Sequence, residues 1–422
     1  MQLIKNAKVL IAGKLVQRDV LIAGQKIAQV AENITSAEAE VFEANGAFLT
    51  NGLVDVHVHF REPGFEYKET IATGSGAAAR GGFTTVVAMP NLNPVPDNAA
   101  RVASQVALNE ANGVVHVAQY GAISAGLTDQ TISDIAGMSA AGAVAFSNDG
   151  KGVQTADTML QAMQAAARVN KPLVAHLEDD SLLHGGVMNA GDTAQSLGLP
   201  GITGLAESAQ LARDLVIAQA TGVHYHVAHI STKTAVDLVR IAKSQGVRVT
   251  AEVSPHHLLL ADTDITGDNA LFKMNPPLRS EEDRQAVLAG LLDGTIDMVA
   301  TDHAPHGTAE KAQSFMSAPF GITGIETSFQ LLYTHLVKSG VMTLETLIQR
   351  MLDAPVAAFG LQAPTQIAAG QTADLVLFDL AARDTIAEAD FKSLGKNTPF
   401  VGWSVYGRTV ATWVDGDIVY QP

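Results

Sequence analysis

The sequence predicts an α/β fold, a (β/α)8, TIM-like barrel carrying a small β-sandwich domain formed by both chain termini. Three observations lead there. Eight apolar strand candidates alternate with alanine-rich stretches of helical period through the middle of the chain. Residues able to bind metals or move protons recur just past the ends of those strands. A short, strand-rich, glycine-punctuated texture opens the chain and returns at its end.

At 422 residues the chain is too long for one small core and suits a large barrel with a minor domain. A hydrophobic content of 47% supplies a substantial core and argues against disorder. The formal net charge of -16 argues against nucleic-acid binding, because phosphate attraction would have to overcome the field of the whole molecule. The absence of cysteine excludes disulfides, thiolate zinc sites and thiol nucleophiles. No apolar run reaches the roughly 18 residues that would span a bilayer, and residues 1–10 lack a leader pattern, so a cytoplasmic protein with no membrane partner is expected.

Residues 1–50 read as the first part of the small domain, with strands at Leu3 to Ile11, Asp19 to Ile22 and Lys26 to Val30 around Gly13 and Gly24. The barrel is expected over 51–365. The small domain resumes over 366–422, with strands at Asp374 to Asp379, Thr409 to Asp415 and Ile418 to Tyr420. Neither terminal piece can bury a core alone, so the two are expected to pair. Barrel strands fall at 53–59, 84–89, 114–119, 142–147, 172–176, 223–229, 247–253 and 297–301. Helices fall at 98–111, 156–169, 207–220, 232–244, 282–292, 326–338 and 343–352. Runs such as Val247 to Val253 suit strands covered on both faces. A doubly wound sheet is the rival arrangement; the count of eight strands and the chemistry at so many strand ends favour closure. The polar or glycine-rich stretches 177–206 and 303–325 are expected to be loops over the active face.

The densest chemistry lies in Asp55-Val56-His57-Val58-His59-Phe60-Arg61-Glu62-Pro63-Gly64. Strand alternation points His57 and His59 the same way, and Arg61 continues that parity. Two imidazoles beside a guanidinium suggest a metal site built for a small anion. Further along, Asn91, Asp149, His176, His229 and Asp302 each follow a predicted strand. Four histidines and two carboxylates from separate strand ends can surround two metal ions, for which zinc is the first expectation because the set is nitrogen-rich and hydrolysis needs no redox chemistry. His57 and His59 are expected on the more buried ion and His176 and His229 on the second. Asp149 would bridge the two, and Asp302 would serve as both ligand and general base. Other readings exist for some of these residues: Asp149 as a turn carboxylate before Gly150, Asn91 as a brace for the turn from Pro90 to Pro94, and Arg61 as an ion-pair partner of Glu62. His224 and His226 read as packing or ligand-supporting residues. His116, His256 and His257 read as structural, and His184 has no role.

Taken together these residues resemble the metal-dependent amidohydrolase superfamily and, within it, the long bacterial (type I) dihydroorotases, over nearly the whole chain. The resemblance is carried by His57-Val58-His59-Phe60-Arg61-Glu62-Pro63-Gly64, Met89-Pro90-Asn91, Ala175-His176-Leu177-Glu178, Ala228-His229-Ile230-Ser231, Asn275-Pro276-Pro277-Leu278-Arg279 and Thr301-Asp302-His303-Ala304-Pro305-His306. It implies reversible interconversion of L-dihydroorotate and N-carbamoyl-L-aspartate in de novo pyrimidine biosynthesis, by a hydroxide bridging two Zn2+ ions per chain, with Asp302 shuttling the proton. By the same resemblance Arg61, Asn91 and His306 match residues that hold the substrate carboxylate, and Asn275 matches another substrate-contacting position. Arginine suits a carboxylate because its fork can bond two oxygens at once.

Many members of the superfamily bridge their metals with a carboxylated lysine; here Phe146-Ser147-Asn148-Asp149-Gly150-Lys151 offers Asp149 first, and Lys151 only beyond the Asp-Gly turn. The resemblance further implies a homodimer and allows association with aspartate transcarbamoylase. Two alternatives stay open. One is a hydantoinase, dihydropyrimidinase or allantoinase acting on a neutral cyclic amide, against which Arg61 speaks. The other is a noncatalytic scaffold, against which the complete ligand set speaks.

Overall fold

The computed structural model describes residues 1–128 and 131–422. Among them, eight strands build the barrel: β1 (Leu53–Val58), β2 (Phe83–Ala88), β3 (His116–Ala122), β4 (Ala143–Ser147), β5 (Leu173–Ala175), β6 (Tyr225–Val227), β7 (Val249–Val253) and β8 (Met298–Val299). They lie side by side in chain order, all parallel. Every residue of β1 and β2 is buried, as expected where helices cover one face and the barrel interior the other. The ring closes just beyond the short β8. Val58 bridges His303, the His59 amide donates to the His303 carbonyl at 2.9 Å, and the Asp55 carboxylate accepts from the Thr301 amide at 3.1 Å and its hydroxyl at 2.5 Å.

Helices Ala99–Asn112, Ala156–Arg168, Leu205–Thr221, Lys233–Ser244 and Glu281–Asp293 match the predicted spans to within two residues. Four of them begin at a side-chain cap, from Asn98, Thr155, Thr232 or Ser280, which satisfies an amide that the first turn leaves open.

Helix Ile71–Gly81 is absent from the sequence expectation. Its sequence, IATGSGAAARG, is nearly featureless because close packing demands small residues: a Cβ on Gly74 would lie 2.5 Å from the Phe60 ring, and one on Gly81 2.2 Å from the Ile325 carbonyl oxygen. Its capping box pairs Thr70 with Thr73, without the glutamate or glutamine that usually signals one. The predicted helices at 326–338 and 343–352 contain π-helical turns at Tyr333–Val337 and Gln349–Asp353, and the second runs on through Phe359. Within the predicted loops, Met188–Asn189 pairs with Gly201–Ile202, and a single helical turn spans Thr308–Lys311.

The terminal sheet combines Gln2–Ile11, Lys14–Ala23, Lys26–Ala31, Glu40–Glu43 and Phe48–Asn51 with Leu375–Thr385, Ser404–Val414 and Asp417–Tyr420. The seam is Phe48–Asn51, which the sequence does not announce as a strand: it pairs antiparallel with Leu375–Phe378 and meets the first strand at Lys8. Ile4, Val20, Ile22, Leu49, Leu375 and Trp413 fill this small sandwich with a core of its own. Among the contacts that tie it to the barrel are three made by side chains. Thr412 donates to the Ala79 carbonyl at 2.7 Å, Phe378 stacks on Phe329 at 3.8 Å, and His116 at the start of β3 lies 3.2 Å from the Asp374 carboxylate. No helix among the described residues is long and apolar enough to cross a membrane.

Candidate functional site

The ten residues singled out from the sequence converge at one end of the barrel. His59, Arg61, Asn91, Asp149, His176, His229, Asn275, Asp302 and His306 line one open cavity, and His57 lies fully buried beneath it. Each comes from a strand end or the loop that follows, the face on which barrels of this kind assemble their sites.

Asp149 stands at the middle. Its Oδ1 is 3.3 Å from His57 Nε2 and 3.7 Å from both His176 Nδ1 and His229 Nε2, while its Oδ2 is 3.4 Å from His59 Nε2. Asp302 Oδ1 lies 3.0 Å from His59 Nε2 and 3.4 Å from His57 Nε2. His176 Nδ1 and His229 Nε2 approach to 2.9 Å. Possible donor atoms thus fall within 4.8 Å of one another in three linked sets: His57, His59 and Asp149; Asp149, His176 and His229; His57, His229 and Asp302. Lys151 is exposed and lines no part of the cavity.

These residues fit a pair of metal ions. His57 Nε2 and Asp149 Oδ1 are buried and, among the described residues, make no hydrogen bond, a costly state for polar atoms unless a cation stands between them. Imidazole nitrogens completed by carboxylate oxygens suit borderline divalent ions. The linked clusters are those of a binuclear amidohydrolase centre. Burial disfavours a charged His57, yet Asp149, Asp302 and Glu252 drive its pKa well up. His176 is pushed up to about 10 against its burial by Asp149 and Glu178. Despite burial, His57 with its neighbours holds Asp149 well below the usual carboxylate range, and His57 and His59 bring Asp302 down to about 2.

The backbone aims several of these side chains. Arg61, His229 and Asp302 adopt positive φ, at 62°, 31° and 47°, a conformation that residues other than glycine rarely take and that functional sites concentrate. Each is braced. The Arg61 carbonyl accepts from the Phe65 amide at 2.9 Å, and the His229 amide donates to Glu252 at 3.3 Å. Asp302 sits between Thr301, bonded to Asp55, and His303, whose Nε2 is 3.4 Å from Glu69.

Arg61 is half-buried, its Nε donates to the Pro305 carbonyl at 3.3 Å, and no carboxylate among the described residues lies within ion-pair distance of it. Glu62 accepts instead from the Ile71 amide at 2.8 Å. Asn91 Oδ1 accepts from His59 Nδ1 at 2.9 Å, so this residue also fixes the orientation of that ring. Asn275 Nδ2 donates to Glu178 at 2.5 Å. His306 Nε2 donates to the Phe320 carbonyl at 2.7 Å, and its Nδ1 faces Lys68 at 3.2 Å. Burial, together with Arg61, Lys68 and Lys311, depresses its pKa to about 2, which keeps the ring neutral.

Sequence reasoning overlooks the buried carboxylates behind the cluster. Glu252 contacts His57 and His226, and Asp55 holds Thr301 beside Asp302. The available signal is a carboxylate inside a strand whose other residues belong to the core, as in Val249–Val253.

Comparison with known proteins bears on this site. Residues 46–235 match the family model described as dihydro-orotase-like. A dihydroorotase of Ligilactobacillus salivarius is 56% identical over 422 residues, covering 99% of this chain and 98% of that protein. One from Lactobacillus leichmannii is 55% identical over 419 residues, with the same coverage. Among solved structures, the L-hydantoinase (dihydropyrimidinase) of Arthrobacter aurescens superposes with a TM-score of 0.88 at 26% identity, covering 99% of this chain and 96% of that one. The D-hydantoinase (dihydropyrimidinase) of Thermus sp. gives 0.86, also at 26%, covering 100% and 95%. More than half of the positions shared with the first two proteins are identical across essentially the full length of each, and on that ground, with a donor cluster suited to the same chemistry, the chain belongs to the dihydroorotase family.

Proposed function

We propose that the chain catalyses the reversible hydrolysis of L-dihydroorotate to N-carbamoyl-L-aspartate, the third step of de novo pyrimidine biosynthesis. The observation that carries this reading is Arg61, a half-buried guanidinium on the wall of the metal-fit cavity with no carboxylate among the described residues within ion-pair distance. A partly desolvated guanidinium without a paired anion is a ready site for a carboxylate, which its fork can bind through two oxygens.

In this reading His57 and His59 would hold one zinc ion and His176 and His229 the other, with Asp149 placed to serve both and Asp302 completing the set. Such ions, when bound, polarise the ring amide carbonyl and acidify the attacking water. Asp302 lies within reach of the same centre and moves the proton: it takes the proton that the water loses and gives it to the ring nitrogen as the carbon–nitrogen bond breaks. In the biosynthetic direction it takes a proton from the carbamoyl nitrogen as the ring closes. Arg61 holds the substrate carboxylate with Asn91 and His306, and Asn275 contacts the ring. His306, being neutral, contributes direction without adding charge. We further propose boundaries near residues 50 and 366 between the barrel and the terminal pieces, a homodimer in solution, and an association with aspartate transcarbamoylase as a partner to test.

The superposition on hydantoinases favours a second reading, ring opening of a neutral cyclic amide. Identity of 26% to those proteins against 55–56% to dihydroorotases, together with Arg61, supports the first. Ring opening of L-dihydroorotate, dihydrouracil, hydantoin and allantoin by zinc-reconstituted protein, with metal content per chain, separates the two. Activity on dihydroorotate with about two zinc ions is expected; preference for a neutral ring would overturn the substrate, and inactivity at full occupancy would favour a scaffold.

A further inference from the structure

Glu252 lies in β7 with no exposed surface, and it touches residues from two other strands of the barrel. Its Oε1 is 2.5 Å from His57 Nδ1 and accepts from the His229 amide at 3.3 Å; its Oε2 is 3.0 Å from His226 Nε2, whose other ring nitrogen is 2.7 Å from the Thr250 hydroxyl. We propose that Glu252 is a positioning residue for the metal centre: it fixes which nitrogen of His57 faces the ions and ties together one ligand from each half of the binuclear site.

An ionised carboxylate only accepts hydrogen bonds, so His57 must present a proton on Nδ1 and His226 one on Nε2. When the ring binds metal and gives up its second proton, that leaves His57 Nε2 as the lone-pair nitrogen. Nε2 is the atom that faces Asp149 and Asp302 at 3.3 and 3.4 Å without a hydrogen bond. A ligand histidine whose second nitrogen is anchored in this way binds metal more tightly, because its tautomer and ring angle are already chosen.

Charge supports the assignment independently. Two divalent ions carry more positive charge than Asp149 and Asp302 cancel, and Glu252 is a third carboxylate in the same dry volume. The His229 contact adds a second role. This residue holds a positive φ of 31°, and its amide hydrogen bond to Glu252 braces that turn.

The inference rests on the binuclear reading given above, so the experiment separates the two. Metal-stripped full-length wild type, Glu252→Gln and His226→Gln are titrated with zinc against a chromophoric chelator, and thermal unfolding of each metal-free protein is recorded in parallel. Glutamine keeps the shape of Glu252 but has one acceptor oxygen and no charge. Zinc affinity of Glu252→Gln is expected to fall roughly 10- to 100-fold while the metal-free melting temperature stays near wild type. His226→Gln, which touches Glu252 but no proposed ligand, should weaken zinc in the same direction by less. Wild-type affinity in Glu252→Gln overturns the proposal. If that variant fails to fold, His226→Gln decides, with weakened zinc supporting the proposal and wild-type affinity overturning it. A wild-type chain that binds no zinc overturns the binuclear reading itself, and this inference with it.

Discussion

His57 Nε2 and Asp149 Oδ1 face each other across 3.3 Å at the floor of the cavity, and neither makes a hydrogen bond among the described residues. Their charges attract in the metal-free chain, since His57 is strongly biased toward its protonated form and Asp149 toward its ionised one. Two buried polar atoms this close, with no hydrogen bond between them, are placed as ligands to a shared cation would be. Chelation should abolish ring opening while leaving far-ultraviolet circular dichroism unchanged, and zinc should restore activity. Because the folded chain binds the ions and the unfolded chain does so poorly, zinc at a hundredfold excess over its Kd should add about 2.7 kcal/mol per site to stability. Full activity after exhaustive removal of metal would refute this account.

Arg61 is the position at which substrate choice can be tested without touching the donor cluster. Hydrogen bonds to a charged group contribute about 1.5–3 kcal/mol, so Arg61→Gln should lower kcat/KM for dihydroorotate by roughly 10- to 150-fold. Any residual turnover of dihydrouracil should be unaffected, because that ring has no carboxylate to lose. Arg61→Lys should recover only part of the activity, since an ammonium cannot make the two parallel bonds of a guanidinium. Steady-state kinetics on both substrates decide the matter, and an equal loss on the two would remove Arg61 from carboxylate recognition.

Asp302, the proposed proton carrier, can be tested by a single substitution. Its φ of 47° lies in the left-handed region, which asparagine tolerates better than most residues, so Asp302→Asn should leave the turn intact. With the four histidines and Asp149 unchanged, metal content should stay near wild type. The loss should appear in kcat, by about 10²- to 10⁴-fold, as expected when a positioned acid–base group is removed. A variant with normal metal content that retains more than a tenth of wild-type kcat would show that another group moves the proton.

Legibility in the sequence followed the range of the interactions. The barrel strands and five long helices were visible because apolar runs and alanine-rich stretches of helical period are local signals. Helix Ile71–Gly81 was hidden because its apolar face consists largely of alanine and glycine pressed against Phe60 and Ile325. Strand Phe48–Asn51 was hidden because its main partner lies in the C-terminal piece. Asn275 and His306 came from the family resemblance alone, whereas the metal-ligand candidates were legible because they recur at or just past strand ends. Glu252 was not: it lies inside a strand, and His57, its nearest partner, is 195 positions away. Nor does sequence reveal that the Asn91 carbonyl turns to His59.

His116 and Asp374 supply a pH-dependent link between the barrel and the terminal sheet. The 3.2 Å contact with Asp374 raises the His116 pKa above its ordinary value of 6.5, against partial burial. A histidine that binds its proton more tightly when folded stabilises the fold fully below its unfolded pKa, and that stabilisation is lost as pH rises through the folded value. The effect therefore operates from about 6.5 upward. With 42% of the His116 side chain exposed, solvent screening limits the contribution to under about 1 kcal/mol. His116→Gln should consequently melt below wild type at about pH 6 and converge with it on the alkaline side of the folded pKa. Thermal unfolding across that range tests the link, and a gap that stays constant with pH would mean that His116 acts through packing and not through charge.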